Sequence, residues 1–271
     1  MEKLVITVAP TGSVPKKKDN PHVPVTPKEV VECALRCEDE GASILHIHAR
    51  DAQENPSDDP WFFWEVVETL RGRSNLILQV STGGRAGTSL DSRTKRLQVR
   101  PEMASLTTGS VNFPNSVYIN EPQLIEALAK EMLELGIKPE MEIFDVSMIA
   151  NALSLVDKGL AKPPLHFNFV MGLRGAIPAT IENLVHLKNS IPAGSTWTVS
   201  GIASAQLRMG VHAILMGGHV RVGLEDNILM RKGELATNEA LVRRIAFLSR
   251  ELGREVATPD EARRILGLKE G

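Results

Sequence analysis

His46-Ile47-His48-Ala49-Arg50-Asp51 follows an apolar run, Ser43-Ile44-Leu45, and the pattern predicts a buried strand that ends at the second histidine. Side chains at i and i+2 on a strand share a face, so the two imidazoles can converge on one cation. With an oxygen ligand and an open position they would form a catalytic transition-metal site. The plainer alternative is a hydrogen-bonded pair of core histidines. A strand-terminal HxH with Arg50-Asp51 directly after it favours the metal.

The oxygen donor must come from elsewhere in the chain. Glu225 is the preferred candidate, because a loop after a last strand can curl over the site; Asp226 and Glu142 are alternatives. Glu225-Asp226 alone could also be an acidic helix-capping turn. Arg221 lies on the same strand, and an inward-facing arginine needs an anionic partner. Asp226 is the expected one. An aspartate beside an arginine should have a lowered pKa and be a weak base toward C–H bonds, a weakness that metal polarisation of a substrate carbonyl would offset.

Three further groups could orient a substrate. Ser81-Thr82-Gly83-Gly84 follows a strand, and its small residues let backbone amides approach a carboxylate or phosphate; a tight turn is the plainer reading. Thr107, Ser110 and Asn112 add hydrogen-bonding side chains. Glu142, between Met141 and Ile143, is expected to face inward, pairing with Arg221 or supporting the metal. His22, His166, His186, His212 and His219 show no comparable spacing.

These residues need elements to hold them. Strands are predicted at Leu4–Ala9, Ser43–His48, Leu76–Ser81, Met103–Thr107, Met141–Phe144, Leu165–Val170, Thr196–Ser200 and Val220–Gly223. Helices are predicted at Pro27–Glu40, Trp61–Arg71, Leu90–Val99, Pro122–Leu135, Val146–Lys158, Thr180–Ser190, Ser204–Met209 and Asn238–Leu252, with an extra C-terminal helix at Pro259–Leu268. Alternating strands and helices imply a parallel sheet covered by helices. Eight such units within 271 residues fit a closed (β/α)₈ TIM barrel better than an open doubly wound sheet. No linker divides the chain, so a single catalytic domain over residues 1–271 is expected. In a barrel of this kind chemistry sits where strands end, which is where the polar clusters fall.

Composition excludes other classes. A net charge of −2 offers no basic footprint for nucleic acid or an anionic membrane. Lys16-Lys17-Lys18 is the compact basic run; it reads as a solvated loop that could help hold a phosphorylated ligand. No apolar run approaches membrane-spanning length, and no signal peptide is evident; a cytoplasmic location is expected. The two cysteines, Cys33 and Cys37, are expected to pack within a helix rather than form a disulfide or zinc site.

Taken together, the motifs resemble the β-keto acid cleavage enzyme family. The likeness runs from Thr11-Gly12 and Asn20-Pro21 through His46-Ile47-His48-Ala49-Arg50, Ser81-Thr82-Gly83-Gly84 and Ser105–Phe113. It continues through Pro139–Asp145 to Gly218–Asn227. The resemblance implies a zinc-dependent (β/α)₈ homotetramer that condenses a β-keto acid with acetyl-CoA as co-substrate, releasing acetoacetate and a new acyl-CoA. By that resemblance His46, His48 and Glu225 match the metal ligands. Asp226, supported by Arg221, matches the base that takes a proton from C2 of the keto acid. Ser81 and Thr107 match substrate-orienting positions, with Ser105 an alternative for the second, and Thr82 and Gly83 belong to the same substrate loop. Glu142 matches a supporting acid. One position departs from the pattern. Members that cleave the aminohexanoate carry a glutamate for its ammonium group where this chain has Val14, so an uncharged or apolar acyl tail is expected. Two alternatives are a metal-dependent hydrolase of the amidohydrolase type, which would place HxH on the first strand, and a non-catalytic ligand-binding barrel.

Overall fold

The computed structural model describes residues 1–84, 88–113 and 115–268. Strands β1 (Ile6–Val8), β2 (Ile44–Ile47), β3 (Ile77–Val80) and β4 (Met103–Thr107) form one part of a barrel wall. An antiparallel hairpin, β5 (Val111–Phe113) and β6 (Ser116–Tyr118), follows β4. The wall continues with β7 (Lys138–Ile143), β8 (His166–Met171), β9 (Thr196–Gly201) and β10 (His219–Val222), and a second hairpin, β11 (Leu229–Arg231) and β12 (Glu234–Leu235), comes next. The eight wall strands close in the order β1-β10-β9-β8-β7-β4-β3-β2, all in parallel register, as the alternation of elements predicts.

Around the barrel lie α1 (Pro27–Asp39), α2 (Pro60–Arg71), α3 (Leu90–Lys95), α4 (Pro122–Leu135), α5 (Ser147–Asp157), α6 (Ile181–Ser190), α7 (Ala205–Met216) and α8 (Asn238–Glu251). Their starts are chemically marked. Thr26 and Glu29 form a reciprocal capping box on α1, and Asp59, Thr180 and Thr237 accept from first-turn amides, satisfying donors that would otherwise be orphaned. Three expectations need correction. The helix predicted from Leu90 to Val99 is α-helical only to Lys95 and finishes as a 3₁₀ turn, Arg96–Val99. Helix α7 runs on to Met216, because Gly217 at φ +83° ends it rather than Gly210. Strand β7 starts at Lys138, not Met141, and so carries Glu140 into the wall. Both hairpins were unforeseen.

Strand alternation sorts the core into two regions. Leu45, Ile47, Val80, Leu106, Met141, Ile143, Phe167, Phe169, Val199, Val220 and Val222 belong to the large cluster shared with the helices. Val5, Ile44, Ile77 and Met103 instead form a floor, plugged by Ala262 and Leu266 of α9 (Pro259–Leu266). Above that floor the same inward face turns polar: Thr7, His46, Gln79, Ser105, Glu140, Glu142, His166, Asn168, Thr198, Ser200 and Arg221 are all buried. Burying so many polar groups is unfavourable unless they bond one another. Several do: Asn168 donates to Glu140 Oε1 at 3.1 Å, and Ser200 to Asn168 Oδ1 at 2.8 Å, whereas Thr7 Oγ1, Gln79 Nε2 and Arg221 Nη1 have no hydrogen-bond partner among the described residues. The apolar floor blocks one end, so the polar interior opens toward the strands' C-terminal ends. Among the described residues no helix is long and apolar enough to cross a membrane.

Candidate active site

His46 and His48 leave β2 on its inward face, with ring centroids 5.1 Å apart. Glu225 reaches them from the turn after β10. Its Oε1 lies 3.3 Å from His48 Nε2 and its Oε2 4.0 Å from His46 Nε2. The turn is held by backbone bonds from Glu225 N–H to the Ala9 carbonyl and from Asp226 N–H to the Gly223 carbonyl. Two glycines allow the approach. A Cβ on Gly223, at φ +143°, would meet the Ala9 carbonyl oxygen at 2.1 Å, and one on Gly12, at φ +60°, would meet Glu225 Cγ at 2.3 Å. The acidic pair caps no helix, since hairpin β11–β12 follows it.

Each imidazole is oriented from behind. Gln79, directly opposite His46 in the β2–β3 register, places its Oε1 2.6 Å from His46 Nδ1. That bond puts the proton on Nδ1 and leaves the Nε2 lone pair facing Glu225. Ser13 Oγ stands 3.4 Å from His48 Nδ1. Burial, reinforced by the Arg221 charge, holds the His46 pKa down at about 4, so the ring is neutral and able to ligate at neutral pH.

The three donor atoms lie within 4.8 Å of one another. Neighbouring ligand atoms on a tetrahedral ion, each about 2 Å from it, stand roughly 3.3 Å apart, so the spacing suits a divalent transition metal. Glu225 Oε2 is buried without a hydrogen-bond partner, as expected of an oxygen shaped for a cation. A second cluster, Cys33, Cys37 and Glu239, lacks this character. The hydrogen bond to Cys33, then burial, push the Cys37 thiol well up, and Arg36 already pairs with Glu239. The cysteines are packing residues, as the sequence suggested.

Beside the histidines stands an arginine with three carboxylates. Arg221 grips Asp226 with two bonds of 2.9 Å, Nε to Oδ2 and Nη2 to Oδ1, and Nη2 also donates to Glu225 Oε1 at 2.6 Å. Glu142 Oε1 lies 3.8 Å from Nη1, which has no hydrogen-bond partner. The expected Arg221–Asp226 pair is therefore present, but the expected lowered pKa is not. Burial raises the Asp226 carboxyl above its usual range, the Arg221 charge opposing and the Glu225 charge adding to the rise. Burial also lifts Glu142 to about 7 against the Arg221 charge. Glu225 goes the other way: burial would raise it, yet Arg221 and the two imidazoles hold it well below the usual range. Deeper in the barrel burial would likewise raise Glu140, but the His166 hydrogen bond and charge bring it to about 2.

Not every residue singled out in the sequence faces this cluster. Thr107 Oγ1 donates to Glu142 Oε2 at 2.5 Å. Ser81 Oγ accepts from the Gly83 N–H at 3.1 Å, and the Thr82 hydroxyl is used on the Ser105 carbonyl at 2.6 Å. A Cβ on Gly83 would come within 3.3 Å of the Tyr118 hydroxyl. Val14 is 77% exposed on the β1 loop. Ser110 Oγ accepts from the Asn120 N–H, closing the base of the β5–β6 hairpin. Lys16 is tied to Gln53 and Asn55, and Lys17 to Glu29. Arg50 bonds the carbonyls of Thr11, Gly12 and Pro15, pinning the β1 loop. His166 and His219 open their strands at the far end, so among the described residues no third histidine joins the pair in the manner a hydrolase of the amidohydrolase type requires. Sequence reasoning missed Gln79 and Tyr118, whose hydroxyl lies 3.2 Å from Thr107 Oγ1. Gln79 did leave a signal: it is the polar residue of an apolar strand, two positions before Ser81.

A family model described as beta-keto acid cleavage enzyme matches residues 3–268. The 3-oxoadipate:acetyl-CoA acetyltransferase of Cupriavidus necator is 46% identical over 98% of this chain and 95% of its own length. The 3-keto-5-aminohexanoate cleavage enzyme of Fusobacterium nucleatum is 43% identical over 99% of both chains. Among solved structures, ObcA in its apo form superposes with a TM-score of 0.79 at 21% identity, covering 92% of this chain and 66% of ObcA; that likeness concerns the fold.

Proposed function

This chain belongs to the β-keto acid cleavage enzyme family, and from that membership we propose that it exchanges acyl groups between a β-keto acid and acetyl-CoA, yielding acetoacetate and a new acyl-CoA. The observation that carries the reading is the convergence of His46, His48 and Glu225 beside the Arg221–Asp226 pair at the open end of the barrel. His46, His48 and Glu225 would hold a divalent ion, with zinc favoured by two imidazoles and one carboxylate. When bound, the ion polarises the keto acid's carbonyl and acidifies the adjacent C–H.

The chain's own groups do the rest. Asp226, gripped by Arg221 and made more basic by burial, accepts a proton from C2. The C2 carbanion adds to the thioester carbonyl and expels the thiolate of coenzyme A. That thiolate attacks the original keto carbonyl, the C2–C3 bond breaks, and Asp226 returns its proton to C2 of the departing acetoacetate. Glu142, bonded by Thr107 and close to Arg221, holds the guanidinium in place from the opposite side. Ser81, Gly83 and Thr107 line the approach to this cluster and orient the substrate; Thr82 shapes their loop through Ser105.

Val14 supports an uncharged acyl tail, because it offers an ammonium group no counter-charge where the aminohexanoate-cleaving members carry a glutamate. A single catalytic domain and a homotetrameric assembly complete the proposal, the second tested by light scattering. The deciding experiment supplies zinc-loaded protein with acetyl-CoA and a panel of β-keto acids and identifies the acyl-CoA formed by mass spectrometry. Acetyl-CoA-dependent acetoacetate and a matching acyl-CoA are expected. Fastest turnover of the aminated acid would defeat the tail assignment, and no product from any acid would defeat the activity.

A further inference from the structure

Behind the Ser81–Gly84 loop stands a charged wall that the chemistry above leaves unused. Arg96, at the start of the 3₁₀ turn, is 3% exposed and lies 5.7 Å from the Phe63 ring centroid of α2, on the helix side of β3. Its Nη1 donates to the Gly83 carbonyl at 2.7 Å and to the Ser81 carbonyl at 3.2 Å. In a planar trans peptide the N–H points opposite to its C=O. The Thr82 amide is thereby turned inward, where it donates to Ser105 Oγ at 3.4 Å, and the Gly84 amide is turned away from Arg96.

One turn earlier Arg93 is 2% exposed, donates to Asn120 Oδ1 at 2.8 Å and sits 5.4 Å from the Tyr118 ring centroid. Both partners are neutral. The carboxylate paired with Arg96 is Asp58, whose side chain is 45% exposed and therefore screened by water. Among the described residues, two buried guanidiniums against one screened carboxylate leave a positive field behind a loop of small residues. Tyr118 joins that wall to the site, since its hydroxyl meets Thr107, which bonds Glu142.

We infer that Arg96, backed by Arg93, is a positioning residue for the carboxylate of the β-keto acid: it folds the Ser81–Gly84 loop into an anion-binding turn and supplies the charge that holds a carboxylate against it. The inference rests on the keto-acid reading of the site. Asp58 is its built-in attenuator, because it cancels part of the Arg96 charge without touching the loop.

Opposite effects are therefore expected from two variants. Asp58→Asn keeps an acceptor for Arg96 and removes the opposing charge; Arg96→Gln removes the positive one. Acetoacetate binding to the zinc-loaded protein, measured by calorimetry, should tighten about twofold in Asp58→Asn and weaken about tenfold in Arg96→Gln. Methyl acetoacetate, which has no carboxylate, should respond to neither. In turnover, the keto-acid KM should follow the same order while the acetyl-CoA KM stays constant. A loop role through packing alone predicts no tightening in Asp58→Asn and equal losses for acid and ester in Arg96→Gln; either result overturns the inference. Should Arg96→Gln fail to fold, Asp58→Asn decides alone, and unchanged or weaker acetoacetate binding refutes it. An inactive wild type would sink the acyl-exchange reading, whereas the acid-versus-ester comparison judges this inference without turnover.

Discussion

Replacing Gly12 with alanine should damage metal binding without removing any candidate ligand. Gly12 sits at φ +60°, and a Cβ there would lie 2.3 Å from Glu225 Cγ and 2.8 Å from Glu225 Cβ. A non-glycine residue in the left-handed region costs about 1–2 kcal/mol, and forcing a carbon into an occupied space costs roughly 1–3 kcal/mol more. The clash falls on the root of the Glu225 side chain, whose backbone is pinned to Ala9. A rotamer change at the tip cannot relieve it. Relief comes from moving the carboxylate, now 3.3 Å from His48 and 4.0 Å from His46, so the strain is taken largely from metal affinity. About 3 kcal/mol of it corresponds to roughly a 100-fold weaker dissociation constant. Zinc titration against a competing chromophoric chelator, with thermal melts of metal-free and loaded protein, reads this directly. Gly72→Ala is the control, because a Cβ there meets nothing within 4 Å. Wild-type zinc affinity in Gly12→Ala would refute the claim that this glycine makes room for a ligand.

Three further outcomes are expected. The metal-free protein should lose stability as pH falls from 6.5 to about 4, the interval over which His46 resists protonation. Its folded pKa is depressed, so the unfolded chain binds more protons there and stability rises with pH, by up to about 3 kcal/mol across the window. Urea unfolding at several pH values in a chelator measures this, and a His46→Leu variant that keeps the same slope would contradict the assignment. Gln79→Leu should lower zinc affinity about 10- to 100-fold while leaving the ligands in place, because His46 loses the acceptor that sets its tautomer; unaltered affinity would show that Gln79 is structural. Val14→Glu should raise the rate on an aminated keto acid relative to an uncharged one by about tenfold, read as a ratio of kcat/KM values. A ratio that does not move would place tail recognition elsewhere.

Much of the site was legible before any folding was considered. His46 and His48 are local: a two-residue spacing on a strand fixes a shared face, whatever surrounds it. The repeated strand–helix alternation implied the barrel, and barrel geometry then assigned the strand ends to chemistry, which brought Glu225, Asp226 and Arg221 into one group although 173 positions or more separate them from His48. Two helix starts were equally plain, because Thr26 and Thr180 cap through bonds to residues three positions away.

Other features depend on contacts between distant segments, and only the tertiary structure decided them. The sign of the Asp226 shift turns on whether burial outweighs Arg221, and burial is a property of the assembled barrel, not of the Asp-Arg pair. Gln79 serves His46 because β2 and β3 align in that register; a slip by one residue would send it into the helix layer. Helix α7 continues past Gly210 because that glycine lets Val220 and Ile245 pack close, at 3.1 and 3.2 Å from a notional Cβ. The arginine behind the Ser81–Gly84 loop is invisible in a string of letters, since Arg96 looks like any surface residue until the 3₁₀ turn rotates it inward. Spacing along the chain determines which side chains can act together on one element. Desolvation and register, which exist only once the barrel has closed, determine their charge and their partners.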